Sequence, residues 1–362
     1  MAGGALVFGA VPRLARQKHF RDGLLLGIGV ALLACTRPFE GLIVCASAGA
    51  ALFSALRSAP GGYRKVARIW SKPLIGAAGV VLPALGFIGY YNAKVTGHPL
   101  RLPYAVHEAA YGISPLFVWQ SPKLEPEYHH PEIESFYRGW GLDAFRSHQS
   151  AEGFLNAKLD GTLVLWAFFL GPALTLTLVT LPGLWQDRRL RFAWRSLAAL
   201  YLGSLCVFWM LPHYFAPAAP LLMLIVVQGV RRLRATAQRE LKCGFLVVPA
   251  IVLMQTVLLI AGVARQAEAK GTSWAHHRAR IAAQLESAPG RHLVFVEYSP
   301  NHNVHAEWVY NAASIDDAPI VWARPMGPAR DRELLDHFSD RQLWLLDADA
   351  PCPQLLPLDR RN

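Results

Sequence analysis

Residues 23–55 read GLLLGIGVALLACTRPFEGLIVCASAGAALFSA: two apolar runs, 23–35 and 42–55, joined by Thr36-Arg37-Pro38-Phe39-Glu40-Gly41. Crossing the hydrocarbon of a bilayer takes roughly 20 apolar residues. One continuous span through this stretch would strand Arg37 and Glu40 in lipid, at a cost of about 2.5–3.5 kcal/mol for the arginine alone. The stretch is therefore read as two short helices meeting at a polar turn at one membrane surface.

The rest of the chain repeats the pattern. Apolar runs at 1–11, 74–91, 162–181, 196–211, 215–230 and 244–263 bring the total to about eight. The connectors alternate in charge. Four are basic: 12–22 (Arg13, Arg16, Lys18, Arg21), 57–72 (Arg57, Arg64, Lys65, Arg68, Lys72), 184–195 (Arg188, Arg189, Arg191, Arg195) and 231–242 (Arg231, Arg232, Arg234, Arg239, Lys242). Those between them are poor in Lys and Arg. Alternation of this kind is how a polytopic membrane protein records orientation, the basic side being cytoplasmic. Only 17% of the residues are charged, against about 25% in average usage, and 53% are hydrophobic. An ordinary soluble domain is thereby excluded. The net charge of +11 does not call for nucleic acid, because half of the 36 basic residues lie in the four connectors. The cysteines are scattered and give neither a disulfide framework nor zinc-ligand spacing.

The fold class expected is thus an α-helical polytopic membrane protein with about eight membrane segments and a small soluble C-terminal α/β unit. The membrane domain is expected at 1–264, with a long outer loop at 92–160, and the soluble tail at 265–362. In the tail, a helix at 274–287, strands at 292–296, 320–323 and 343–346, and a helix at 332–338 predict a parallel sheet. The first run, 1–11, has no basic n-region and too little length to span, so the chain is expected to start inside a longer protein.

Three places can carry chemistry. The first is the Arg37 turn, where a guanidinium suited to phosphate or carboxylate sits three residues before Glu40; an Arg37–Glu40 ion pair closing the turn, or contact with headgroups, is the plainer reading. The second is His213-Tyr214-Phe215-Ala216-Pro217-Ala218-Ala219-Pro220, on the same non-basic side, where an imidazole can donate to an anion or shuttle a proton; an interfacial His-Tyr belt uses the same residues. The third is Tyr104, His107, Glu108 and Tyr111, one face of a helix, able to grip a sugar with Glu108 as general base, or to lie on a membrane surface. His302, His305 and Glu307 have ligand-like spacing only if helical, and without a second set of partners they read as polar surface, as do His129-His130 and His276-His277; no metal is expected. Asp316-Asp317 reads as a loop or cap before the strand at Ile320.

The paired helices meeting at Thr36-Arg37-Pro38, the long outer loop, and the His213-Tyr214 turn with Pro217 and Pro220 resemble the GT-C class of polytopic glycosyltransferases, which includes protein O-mannosyltransferases, lipid A aminoarabinose transferases and the RgtA/B/C/D-like bacterial proteins. The resemblance covers about residues 1–264 and its motifs are loose. It implies transfer of a sugar from a polyprenyl-phosphate donor to a glycan, lipid or protein acceptor at the outer face of a membrane, bacterial inner membrane being the expected location, with the tail outside. By the same resemblance His213 stands where related enzymes hold a basic residue near the donor phosphate, and Arg37 is a second contact. Tyr214, Tyr104 and His107 complete the expected substrate-binding set. The family's catalytic carboxylate follows the first membrane helix; its matching position is missing here, which leaves Glu108, Glu40 and Asp160 as weak catalytic candidates. Beyond the donor, no cofactor is implied. A transporter, or a membrane anchor presenting the C-terminal unit, are the alternatives; the apolar runs carry almost no ionisable residues at their centres, which speaks against transport.

Overall fold

The structure is a computed structural model that describes residues 1–58, 63–240, 244–270 and 273–359. Lys242, at the end of the fourth basic connector, and Cys243 after it lie outside the described residues. The chain forms two compact units, Met1–Lys123 with Ala144–Val257, and Leu124–Asp143 with Leu258–Asn362.

The first unit is helical. It opens with α1 (Ala2–Arg16), α2 (Phe20–Thr36), α3 (Pro38–Arg57) and α4 (Tyr63–Thr96), followed by the short α5 (Pro103–Ala110). Next come α6 (Ala151–Phe169), α7 (Arg191–Cys206), α8 (Ala219–Glu240) and α9 (Val247–Lys270), of which the part from Leu258 on belongs to the second unit. Its core gathers Val7 and Val11 of α1, Leu33 of α2, Val44 of α3, Leu200 of α7 and Ile225 of α8. Backbones approach closely where side chains are smallest, as membrane helices without a water-driven force require. A methyl added at Gly23 would strike the carbonyl of Pro73 in α4, and one at Gly4 the carbonyl of Pro217. Asp22 is buried at the start of α2 and is met by Arg13 Nε at 2.7 Å.

Four helical stretches among the described residues are long and apolar enough to cross a membrane: Pro38–Arg57, Arg68–Thr96, Pro212–Arg239 and Gly244–Ala267. A fifth arises if Ala151–Phe169 and Gly171–Gln186, bent by 93° at their junction, count as one. The expected total of about eight is not reached by this measure, because α1, α2 and α7 have only 15, 17 and 16 residues.

Several expected boundaries are corrected. The first helix does not stop at Val11 but runs through Pro12 to Arg16. The outer loop does not begin at Asn92, since α4 continues to Thr96, nor does it last to Asp160, since α6 starts at Ala151. Ser150 starts α6: its extended backbone and its hydroxyl, which accepts from the Gly153 amide at 3.0 Å, make an N-cap. The apolar run 162–181 is not one helix. Gly171, at φ +59°, and Pro172 after it interrupt the backbone, and a left-handed residue followed by proline ends a helix cheaply only when it is glycine. The run 196–211 likewise stops early, at Cys206, and Val207 turns extended.

The second unit carries α10 (Trp274–Ser287), β1 (His292–Glu297), β2 (Ile320–Ala323), α11 (Pro328–His337), β3 (Gln342–Asp347) and β4 (Leu355–Pro357). Strand order is β2-β1-β3-β4. β1 pairs in parallel with β2 and β3, as alternating strands and helices predict, whereas β4 pairs antiparallel with β3 and makes the sheet mixed. The helix expected at 332–338 begins earlier, at Pro328, the favoured first helical position for a proline. Alternate residues of β1 feed two cores. Val294 and Val296 pack with Ile281 and Leu285 of α10 and with Trp308, and Leu293 and Phe295 pack with Leu334 and Phe338 on the side of α11.

Candidate functional site

The α2–α3 turn is made by Arg37, whose backbone (φ −145°, ψ 73°) leaves the helical region while its amide still donates to Leu33 O at 2.8 Å. Pro38 then occupies the first position of α3, where its missing N–H costs nothing. The second turn begins with a short helix, Pro212–Phe215, and passes through one tight turn into α8. These two turns converge. The Arg37 guanidinium lies over the Tyr214 ring, 4.3 Å from its centroid, and the His213 ring is 4.4 Å from that of Tyr214. His213 is exposed and within electrostatic reach of Arg37. A guanidinium held on an aromatic face keeps its edge donors available to an anion.

Glu40 is half-buried and is, among the described residues, the only acidic side chain lining a narrow recess formed with Phe39, Ser204, Trp209, Tyr214 and Phe215, among others. The free space there, about 10 Å³, is that of about one water. The described ion pairs do not join Arg37 to Glu40, although the two lie within electrostatic reach. The simple closing pair considered for this turn is thus replaced by the Arg37–Tyr214 stack.

α5 contributes Tyr104, which feels both Glu108 and Tyr214. The protein mass around it, then the Glu108 carboxylate and Tyr214, push its phenol up to about 12, so it stays a neutral donor at any physiological pH. Glu108 is engaged by Lys123, whose Nζ lies 3.8 Å from its carboxylate and donates to its backbone carbonyl at 3.1 Å. His107 is exposed and packs its ring 5.1 Å from Tyr111. Asp160 is exposed on α6. The structure therefore brings Arg37, Glu40, His213 and Tyr214 together, with Tyr104 and through it Glu108 nearby.

Two residues were missed. Trp209 lines the recess. Lys158 is buried in α6 and donates to Val207 O, just where α7 has ended. Phe117 and Val118 pair with the same strand-like stretch, Val118 N donating to Cys206 O at 3.0 Å. A cation at the carbonyl end of a helix is favourable, and this one pins the approach to the His213 turn. Its sequence signal was available: Lys158 is the only basic residue between Arg146 and Arg188 apart from His148.

In the second unit the expected trio is divided. His302 Nδ1 donates to Asp349 at 2.8 Å, while Glu307 accepts from the Tyr298 hydroxyl at 2.6 Å and from Arg324. His276 pairs with Ser273, and Asp316 with His337.

No protein-family profile, curated protein or solved structure matches this chain.

Proposed function

We propose that this protein is a polytopic membrane glycosyltransferase of the GT-C kind, taking a sugar from a polyprenyl-phosphate donor at the face where the Arg37 and His213 turns lie. The observation that carries this reading is the convergence of two turns, far apart in sequence, on one cation: Arg37 stacked on Tyr214, with His213 beside it. In the reaction, an acceptor hydroxyl oxygen bonds the anomeric carbon while the bond from that carbon to the donor phosphate oxygen breaks. The phosphate leaves with the electron pair, and Arg37 and His213 meet the charge that develops there. Glu40 is assigned as acceptor of the hydroxyl's proton because it is the carboxylate that shares the recess with Tyr214. Glu108 ranks after it because Lys123 already engages it, and Asp160 after both.

With α1, α2 and α7 counted as short crossings and the bent pair as one, the segments number eight. The four basic connectors then face the cytoplasm of a bacterial inner membrane, and both turns and the C-terminal unit face outside. The test uses the full chain in lipid nanodiscs with undecaprenyl phosphate and undecaprenol as probes. The phosphate form should bind at least about tenfold more tightly, and Arg37→Ala should erase the difference. Equal binding of the two lipids to the unaltered protein would sink the reading.

A further inference from the structure

The three parallel strands end at one edge, and in open α/β sheets that carboxyl edge is where ligands bind, at the point where successive connections leave over opposite faces. That condition holds here. The chain leaving β1 runs over the face packed by α10, carrying Trp308, whereas the chain leaving β2 enters α11 on the other face. Each strand contributes polar groups to the edge: Tyr298, His302 and Glu307 after β1, Arg324 after β2, and Asp349 after β3.

These groups are held rather than loose. Glu307 accepts from the Tyr298 hydroxyl and the Val309 amide, both at 2.6 Å, and its second oxygen meets Arg324. Asp349 accepts from His302 Nδ1 and from the Ser299 amide, both at 2.8 Å. The Tyr298 and His302 rings join the two sets at 4.1 Å. Both carboxylates stay partly open, 40% exposed at Glu307 and 26% at Asp349. Arg324, nearly buried, leaves its Nε without a partner among the described groups.

Segment 124–143 belongs to this unit and supplies an aromatic wall. Trp140 meets His305 edge-to-face at 4.6 Å, Phe136 packs against both, and His130 feels Arg324 and Glu307. Trp140 keeps 39% of its surface exposed. The ligand chemistry follows from the charges. Arg324 and Glu307 neutralise each other, which leaves Asp349 as the remaining charge of the set and disfavours phosphate, hence nucleotides and phospholipid headgroups. Fixed acceptors, together with a half-open indole packed on His305 two residues before Glu307, suit a neutral polyhydroxylated ring, whose hydroxyls donate to carboxylates while its C–H face lies on the indole.

We propose that the carboxyl edge of this sheet is a binding site for neutral saccharides, in which Trp140 stacks on a pyranose face and Glu307 and Asp349 accept its hydroxyls. The site does not depend on the transfer reading of the helical unit. Its test is saturation-transfer NMR on the full chain in nanodiscs with cellotetraose, mannotetraose, galactotetraose and chitotetraose as probes. At least one should show transfer concentrated on ring C–H protons. Trp140→Leu, which keeps apolar bulk but no flat face, should weaken it by roughly tenfold, and Trp140→Phe should restore most of it. Arg37→Ala should leave it unchanged, so that failure here and failure of the donor reading are told apart. Should Trp140→Leu lower the unfolding temperature, Glu307→Gln provides the second variant, with weaker binding expected. Absence of transfer to every probe, or binding indifferent to both substitutions, would overturn the proposal.

Discussion

The two units hide opposite things. In the C-terminal unit Leu293, Val294 and Val296 are fully buried between sheet and helices, whereas in the helical unit Leu74 and Phe87 are 62% and 65% exposed in the stretch 73–91 of α4, which carries no charged residue. The first pattern is that of a chain folding in water, where apolar surface is removed from solvent. The second makes sense only if the surroundings are themselves apolar, because in lipid nothing is gained by turning leucine inward and polar groups are the ones that must find partners. Asp22 on Arg13, Lys158 on Val207 and Arg37 on Tyr214 are those partners.

The sharpest way to break this contrast is to remove a core side chain. Trp308→Ala in the C-terminal unit is expected to cost about 3–5 kcal/mol, seen as early loss of protease resistance in that unit. Gly23→Leu in the helical unit comes next. It fills a close approach to Pro73 rather than emptying a core, and should cost about 1–3 kcal/mol, read as a lower unfolding temperature in nanodiscs. Phe87→Ala should change that temperature little, since the ring is 65% exposed and lies outside the described core clusters; a cost equal to that of Trp308→Ala would erase the distinction.

A smaller effect is a pH dependence carried by Asp349 in the C-terminal unit. Burial alone would raise the Asp349 pKa, but donation from His302 and the Ser299 amide outweighs it and holds the carboxyl below its ordinary value. The folded value lies below the unfolded one, so the stabilisation is complete above about pH 4 and is lost as the pH falls through the folded value. Tryptophan-monitored unfolding should show that slope, and Asp349→Asn should flatten it.

How much of this was legible in sequence depended on range. β1, β2 and β3 are short apolar runs bounded by turn residues, and the local pattern found them. β4 escaped because Leu355-Leu356-Pro357 is too brief, and proline argues against a strand except at an edge, which is where it lies. The start of α6 was hidden by its polar first half, since Lys158 and Asp160 made a helix look like loop, and only the Ser150 cap marked it. The bend at Gly171-Pro172 was written in the sequence but lay inside an apolar run that seemed to need no break. At the candidate site the two turns could be placed on one side by counting crossings. That Arg37 stacks on Tyr214 instead of pairing with Glu40 could not, because it depends on packing between segments about which local pattern says nothing. The gathering of 124–143 with the C-terminal unit is of the same kind.

The central claim is that the chain crosses a membrane repeatedly and brings the Arg37 and His213 turns to one face. It is tested most directly by single cysteines at Thr36→Cys, His213→Cys, Arg189→Cys and Arg234→Cys, each in a cysteine-free chain, labelled with a membrane-impermeant maleimide in intact cells and after permeabilisation. Positions 36 and 213 should label in intact cells, and 189 and 234 only after permeabilisation. Labelling of 36 and 213 from opposite sides of the membrane would contradict the account.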